Sequence, residues 1–383
     1  MRIIYTIEDI SVKGGAENII TQKANHFATE YGYDVLIVSI YKDARPASYP
    51  LAKGVRLISL NIPFIAKNCN VICKNINRIR MLLCLLKRFQ KVVDAEQPDI
   101  IFFTLSLGAL LLPFCRTRAK KVYESHSARQ FTPYHSLFYP MERSADTIVC
   151  LTHGDAQNYK KTKHVCVIPN FIEQPKRSVA DYTRKKAIAV GRLEDSKGFD
   201  ILIDCWKRVA EQHPDWHLDI YGEGSCRNDL QLQIEQLHLN DRITLCGRSN
   251  NIMDVYPEYS LHIMPSRYEG QGITLIEAQA CGLPSVVFNF KFGAADIVQN
   301  GVNGIIVEQD DCKAFSEALC KMMSSEDMRK KYGENALEVG RQYFKDNVFG
   351  KWVELINTLK QLLLSAKTFH TKLLLSAKTF HTK

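Results

Sequence analysis

Glu269 and Glu277 stand eight positions apart in PSRYEGQGITLIEAQACGLPSVVF, residues 265–288, with Gly270, Gly272, Gly282 and Pro284 around them. Carboxylates accept hydrogen bonds from sugar hydroxyls. A glycine loop that opens onto a helix adds unpaired amides beside the positive end of the helix dipole. Ile273, Leu275, Ile276, Ala278, Ala280 and Cys281 continue in a helix-compatible pattern, so Gly270-Gln271-Gly272 is expected to deliver the chain into a helix N-terminus. Such a site suits an anion joined to a sugar, which is the chemistry of a nucleotide-sugar. Leu261–Met264 before the loop and Ser285–Phe288 after it read as buried strands. That puts the loop at the carboxyl end of a strand, where open parallel sheets bind ligands. Glutamate is also a good helix former, and two of them near a helix start often only cap and solvate it, so the spacing alone leaves both readings open.

Gly191-Arg192-Leu193 closes one strand and Lys197-Gly198-Phe199 opens the next helix, bringing a guanidinium fork and a movable ammonium within reach of one point. The pair suits a diphosphate; solvated surface cations are the alternative. Gly14-Gly15-Ala16-Glu17 follows the first strand and opens the amphipathic segment Asn18–Thr29. Close approach of a phosphate or sugar is one reading, and a turn that needs positive φ is the other. His126, in Tyr123-Glu124-Ser125-His126-Ser127, lies just past a strand end, although a lone histidine is usually structural. No G-x-G-x-x-G fingerprint accompanies these groups, and Gly222-Glu223-Gly224 lacks the third glycine, which disfavours a hydride-transfer enzyme.

Positioning these groups takes layered elements, and strand-like and helix-like segments alternate almost end to end, the pattern of parallel α/β layers. Segments 3–6, 34–40, 55–60, 100–104, 121–124 and 147–151 read as a first sheet; 187–191, 217–221, 243–246, 261–264, 285–288 and 304–307 read as a second. Val167–Phe171 and the Lys/Arg-rich stretch Gln174–Lys186 separate them, giving domains at 1–172 and 173–344 and a tail at 365–383. The tail repeats LLLSAKTFHTK letter for letter at 362–372 and 373–383, and the last eleven residues are expected to be dispensable. With 46% hydrophobic and 24% charged residues over 383 positions, large-scale disorder is excluded.

No apolar run of membrane-spanning length and no signal-peptide core are present, so the chain is expected in the cytoplasm. Twelve scattered cysteines without C-x-x-C pairs are expected to be buried thiols rather than disulfides or zinc ligands. A net charge of +9 points to an anionic partner. Lys74–Lys91, KNINRIRMLLCLLKRFQK, brackets an apolar block with cations: a helix for a membrane surface, or an ordinary amphipathic helix with its basic face in water.

Together, GGAE at 14–17, ESH at 124–126, GRLEDSKGFD at 191–200, YGEG at 221–224 and the E-x7-E run at 269–277 resemble the retaining glycosyltransferases of family four, over nearly the whole chain and in order. The resemblance implies a GT-B fold: two facing Rossmann-like domains with parallel sheets and an interdomain cleft, the C-terminal one holding a nucleotide-sugar and the N-terminal one the acceptor. A final helix returning to the first domain would fall within Glu334–Leu364, about 345–364.

By matching position, Arg192 and Lys197 would neutralise the diphosphate, Glu277 would hold the ribose, and Glu269 would lie beside the transferred sugar. The amides of Gly270, Gln271 and Gly272 would bind its hydroxyls, His126 would touch the sugar from the other domain, and Gly15 would let its loop approach the phosphate. Gln271-Gly272 departs from the aromatic or aliphatic residue and Pro or Gly that often follow E-G in the family, which leaves donor preference open. The nucleotide-sugar, with UDP as the expected handle, would be a co-substrate, with no cofactor. No D-x-D triad suggests a bound metal. The expected acceptor is a saccharide, carried on a polyprenyl diphosphate at the inner membrane face as in O-antigen or capsule synthesis; no nucleic acid is expected. An epimerase or phosphorylase on the same scaffold, or a non-catalytic nucleotide-sugar-binding subunit, are the rivals.

Overall fold

The structure is a computed structural model describing residues 1–41, 46–63, 71–131, 138–176 and 180–380. Residues 177–179 of the basic connecting stretch, Cys69, and the final three residues of the second LLLSAKTFHTK copy lie outside the described residues, as do the side chains of Lys74 and of 366–380. Two compact units result: Met1–Cys150 with Ala156–Ile168 and Lys351–Lys383, and Leu151–Asp155 with Pro169–Gly350.

The first unit is built on a seven-stranded parallel sheet. Its strands are β1 (Arg2–Ile7), β2 (Asp34–Tyr41), β3 (Val55–Ile62), β4 (Ile100–Thr104), β5 (Lys120–Glu124), β6 (Thr147–Cys150) and β7 (Val165–Val167), in the order β3-β2-β1-β4-β5-β6-β7. Helices α1 (Gly15–Glu30), α2 (Val71–Glu96), α3 (Leu105–Leu111) and α4 (Phe138–Ser144) cover it. Near-continuous Ile/Val/Phe runs are what a sheet buried on both faces requires. Ile4, Leu36, Val38, Ile101 and Phe103 pack with Leu85, Phe89 and Val93 of α2.

After the short α5 (His153–Ala156), the second unit carries six parallel strands: β8 (Lys186–Val190), β9 (His217–Tyr221), β10 (Ile243–Gly247), β11 (Leu261–Met264), β12 (Ser285–Phe288) and β13 (Gly304–Val307). They run in the order β10-β9-β8-β11-β12-β13. Helices α6 (Phe199–Gln212), α7 (Arg227–Gln236), α8 (Ile273–Ala280), α9 (Ala294–Ile297), α10 (Cys312–Ser324) and α11 (Glu326–Arg341) belong to it. Trp206, Phe199 and Leu202 of α6 pack with Phe315 and Leu319 of α10 in its core. The last helix, α12 (Lys345–Phe380), belongs to the first unit from Lys351 onward. Among the described residues no helix is long and apolar enough to cross a membrane.

Three expectations need correction. Val167, read as the start of the break between domains, instead closes a strand, Val165–Val167, whose Val165 and Val167 pair with Ile148 and Cys150. Glu334–Leu364 is not one element: α11 ends at Arg341 and α12 begins at Lys345, because Phe344 forms a bridge with Ile172. The Ile172 amide donates to Tyr343 O and its carbonyl accepts from the Lys345 amide, so the backbone there pairs sideways instead of continuing a helical ladder. Finally, not every cysteine is a thiol: Cys205 and Cys312 form a disulfide with their Cα atoms 5.4 Å apart, on α6 and α10, which pack together.

Candidate active site

In the second unit β8 and β11 are parallel neighbours, so the loops leaving their carboxyl ends, 191–198 and 265–272, emerge side by side. Leu193 N donates to Glu223 O and Gly191 N to Tyr221 O, tying the first loop to the YGEG run. Glycine is required there because a Cβ on Gly222 would lie 1.8 Å from Gly191 O. The run therefore braces the loop that carries Arg192 and Lys197.

Lys197 ends a short 3₁₀ turn, Asp195–Lys197, and its stem lies 3.4 Å from where a Cβ on Gly191 would be. Its Nζ reaches Glu269 Oε1 at 2.6 Å, and Ser266 Oγ donates to the same oxygen at 2.8 Å. Lys197 and Glu269 are 17% and 10% exposed, so the pair is shielded without being sealed from a ligand. Arg267 locks the two loops together. Its amide donates to Ser196 O, and its guanidinium donates two hydrogen bonds to Asp200, at 2.8 and 2.6 Å. Burial pulls the Asp200 carboxyl up, but the Arg267 fork outweighs it and holds the group below its ordinary value. Arg192, exposed at the end of β8, makes no ion pair among the described residues, which leaves its five donors available.

The second loop enters α8 with Gly272 as N-cap, as the glycine spacing predicts. Among the described residues the amides of Gly270, Gln271 and Gly272 have no acceptor. The Gln271 side chain is committed elsewhere: it is 3% exposed and its Oε1 accepts from Asn170 N at 2.8 Å. Glu277 lies one turn into α8, and helical side chains lean toward the N-terminus. Accordingly Tyr256 Oη donates both to Thr274 O, at 3.1 Å, and toward Glu277 Oε2, at 3.4 Å.

Burial lifts the Glu277 carboxyl to about 7, against the pull of the Tyr256 hydroxyl. A carboxyl raised in the fold leaves stability intact below the unfolded value near 4.5 and erodes it as pH rises through about 7. Glu277→Gln is therefore expected to flatten the decline in melting temperature between pH 5 and 8, read by thermal melts across that range. An unchanged decline would show that Glu277 is not its source.

Gly15, the first residue of α1, and His126, in the loop after β5, belong to the first unit. Gly14 caps α1 at φ −119°, and neither Gly14 nor Gly15 has positive φ, so the pair does not serve a turn that needs it; a Cβ on Gly14 would lie 2.2 Å from Glu17 Oε2. A Cβ on Gly15 would meet no atom of the described residues within 4 Å. The His126 side chain is 5% exposed, with Nε2 3.2 Å from Glu124 Oε1. The sequence reading missed Lys23, Ser266, Asp200, Arg267 and Tyr256; none of them lies in a motif that marks its partner.

Two family models match end to end. Residues 13–174 fit "Glycosyltransferase Family 4" and residues 170–339 fit "Glycosyl transferases group 1". The chain belongs to these glycosyltransferases, and its fold is GT-B. An uncharacterized glycosyltransferase of Haemophilus influenzae is 25% identical over 92% of this chain and 98% of its own length. The amylovoran biosynthesis glycosyltransferase AmsD of Erwinia amylovora is 27% identical over 93% and 99%. Among solved structures, a point mutant of TarM from S. aureus, in complex with fondaparinux, alpha-GlcNAc-glycerol and UDP, superposes with a TM-score of 0.73 at 16% identity, covering 93% of this glycosyltransferase and 99% of that chain. At that identity the likeness speaks for the fold alone.

Proposed function

We propose that this glycosyltransferase moves a hexose or N-acetylhexosamine from a UDP-sugar to a lipid-linked or oligosaccharide acceptor in surface-polysaccharide synthesis, with retention and without a metal. The observation that carries the reading is the Lys197–Glu269 pair, held at 2.6 Å beside the open amides of the loop into α8. Lys197 has three N–H donors and Glu269 takes one, leaving two for phosphate oxygens. As the bond from the anomeric carbon to the leaving phosphate oxygen breaks, charge grows on that oxygen; Lys197, Arg192 and the α8 terminus oppose it. The acceptor hydroxyl attacks on the same face and passes its proton to the departing phosphate. Glu269 orients the sugar, Glu277 the ribose, and Gly15 and His126 supply the first unit's phosphate and sugar contacts. The amylovoran role in the name of AmsD favours this class of product.

A panel of labelled UDP-sugars, with and without a polyprenyl-diphosphate-linked saccharide, tests the reading. Transfer to the acceptor is expected. Sugar interconversion would support the epimerase instead, phosphate-dependent cleavage of a saccharide the phosphorylase, and binding without turnover the non-catalytic subunit.

The acceptor's carrier bears on α2. While Leu85, Phe89 and Val93 face the core, Ile76, Ile79 and Leu83 are 45%, 61% and 61% exposed on the opposite side, beside exposed Arg80, Lys87 and Lys91. An outward apolar row flanked by cations suits an anionic lipid surface, and we assign that face to peripheral attachment at the cytoplasmic side of the membrane. Combining Ile79→Asp with Leu83→Asp is expected to cut co-sedimentation with phosphatidylglycerol vesicles at least tenfold. Undiminished pelleting by the folded double variant would remove α2 from the attachment, and loss of a dimer instead would make the face a self-interface.

A further inference from the structure

A buried charge lies beneath His126 in the first unit. Lys23 of α1 is fully buried, and Glu124, the last residue of β5, is 2% exposed; the ammonium bonds Glu124 Oε1 directly. Aromatic rings close the rest of its surroundings. Nζ lies 3.9 Å from the ring centroid of Trp352 on α12, 5.4 Å from Tyr5 and 6.0 Å from Phe102. The same Glu124 oxygen is 3.2 Å from His126 Nε2, at ion-pair distance but outside hydrogen-bond geometry, and both Glu124 Oε2 and His126 Nε2 are buried with no hydrogen-bond partner among the described residues. One carboxylate oxygen thus faces two nitrogens, the Lys23 ammonium and the His126 imidazole.

Stability gives little reason to keep such a pair, because apolar replacements of buried ion pairs are often neutral or stabilising, whereas removing one partner alone is costly. Burial would raise the Glu124 carboxyl, but Lys23 and then His126 outweigh burial and keep it ionised. Burial likewise lowers the Lys23 ammonium despite Glu124. A fixed negative charge at the end of β5 restricts the rotation of a ring two residues on. It also selects the tautomer that carries a proton on Nε2.

We propose that Lys23, acting through Glu124, is the positioning residue that sets the orientation and tautomer of His126 for sugar transfer. The proposal rests on the reading of His126 as a sugar contact. Besides Glu124, with Lys23 behind it, the charged group that acts on His126 is Glu17 of α1, itself influenced by Glu8 and Asp9 at the end of β1. Glu17 adds a second carboxyl, so the Glu124 contribution must be read against it.

The test uses the full chain in three forms: His126→Ala, Lys23→Met, and Lys23→Met combined with Glu124→Gln. The double variant keeps the buried volume and removes both charges, so it is expected to melt near wild type. Its kcat is expected to fall on the order of 100-fold, the scale of a misplaced reacting group. KM for the UDP-sugar should change far less than kcat, since the proposed ribose contact and the two cations on the diphosphate lie in the second unit. Wild-type kcat in the double variant, with His126→Ala impaired, would overturn the relay while sparing the sugar contact. Wild-type turnover in His126→Ala would overturn both. Independent of any variant's folding, ¹⁵N shifts of the His126 ring in the wild-type protein must show the Nε2-protonated form; an Nδ1-protonated neutral ring is incompatible with the relay.

Discussion

Replacing Lys197 by alanine is expected to lower kcat by roughly 100- to 1,000-fold, about 2.7–4 kcal/mol of transition-state stabilisation, the usual consequence of deleting one preorganised charge partner. Two effects combine. The leaving diphosphate loses a cation, and Glu269 loses its 2.6 Å partner and keeps only Ser266 Oγ as a fixed donor. Melting temperature should change little, because Lys197 lies in a short turn and is 17% exposed, while the two loops remain joined by Arg267 and Asp200. Glu269→Ala should be comparably damaging: the same constellation is broken from its other side, and Lys197 is left free to turn away. Steady-state kinetics with the UDP-sugar that the wild type accepts, together with a thermal melt, check both. Wild-type rates in either variant would discredit the assignment of the donor site.

That pair also marks the boundary of what could be read beforehand. The loop Gly270-Gln271-Gly272 and the helix after it were legible because glycine spacing and the apolar pattern from Ile273 onward are local properties. The strands were legible for the same reason, since buried parallel strands announce themselves as unbroken Ile/Val/Phe runs. Val165–Val167 escaped because three residues paired along one side make too short a run to separate from a connecting segment. What pattern cannot supply is which distant groups meet. Lys197 and Glu269 are 72 positions apart, Asp200 and Arg267 are 67 apart, and Lys23 and Glu124 are 101 apart. Each meeting depends on strand order: β8 beside β11 in one sheet, and β1 between β2 and β4 in the other. The same holds for the break between α11 and α12, set by a bridge from Phe344 to Ile172 rather than by any proline or glycine at the junction.

Because the site depends on two loops held at a fixed distance, Gly198→Ala is expected to damage it without touching any charged group. Gly198 sits at φ +65°, a conformation that costs an alanine on the order of 1–2 kcal/mol. A Cβ there would also lie 2.1 Å from Pro265 O, and a backbone carbonyl cannot swing aside as a side chain would. Either Lys197 or the chain leading to Glu269 must then shift by a sizeable fraction of an ångström. The 2.6 Å ion pair cannot survive that shift unchanged. Displacement on this scale typically costs on the order of 100-fold in rate, so kcat/KM should fall by about that factor with a measurable drop in melting temperature. Gly15→Ala supplies the contrast: its added Cβ meets no atom of the described residues, so it should melt with the wild type and lose activity only through the substrate's approach. If Gly198→Ala melts and turns over like the wild type, the contact with Pro265 is not what sets the spacing of Lys197 and Glu269, and the Arg267–Asp200 clamp must hold the two loops by itself.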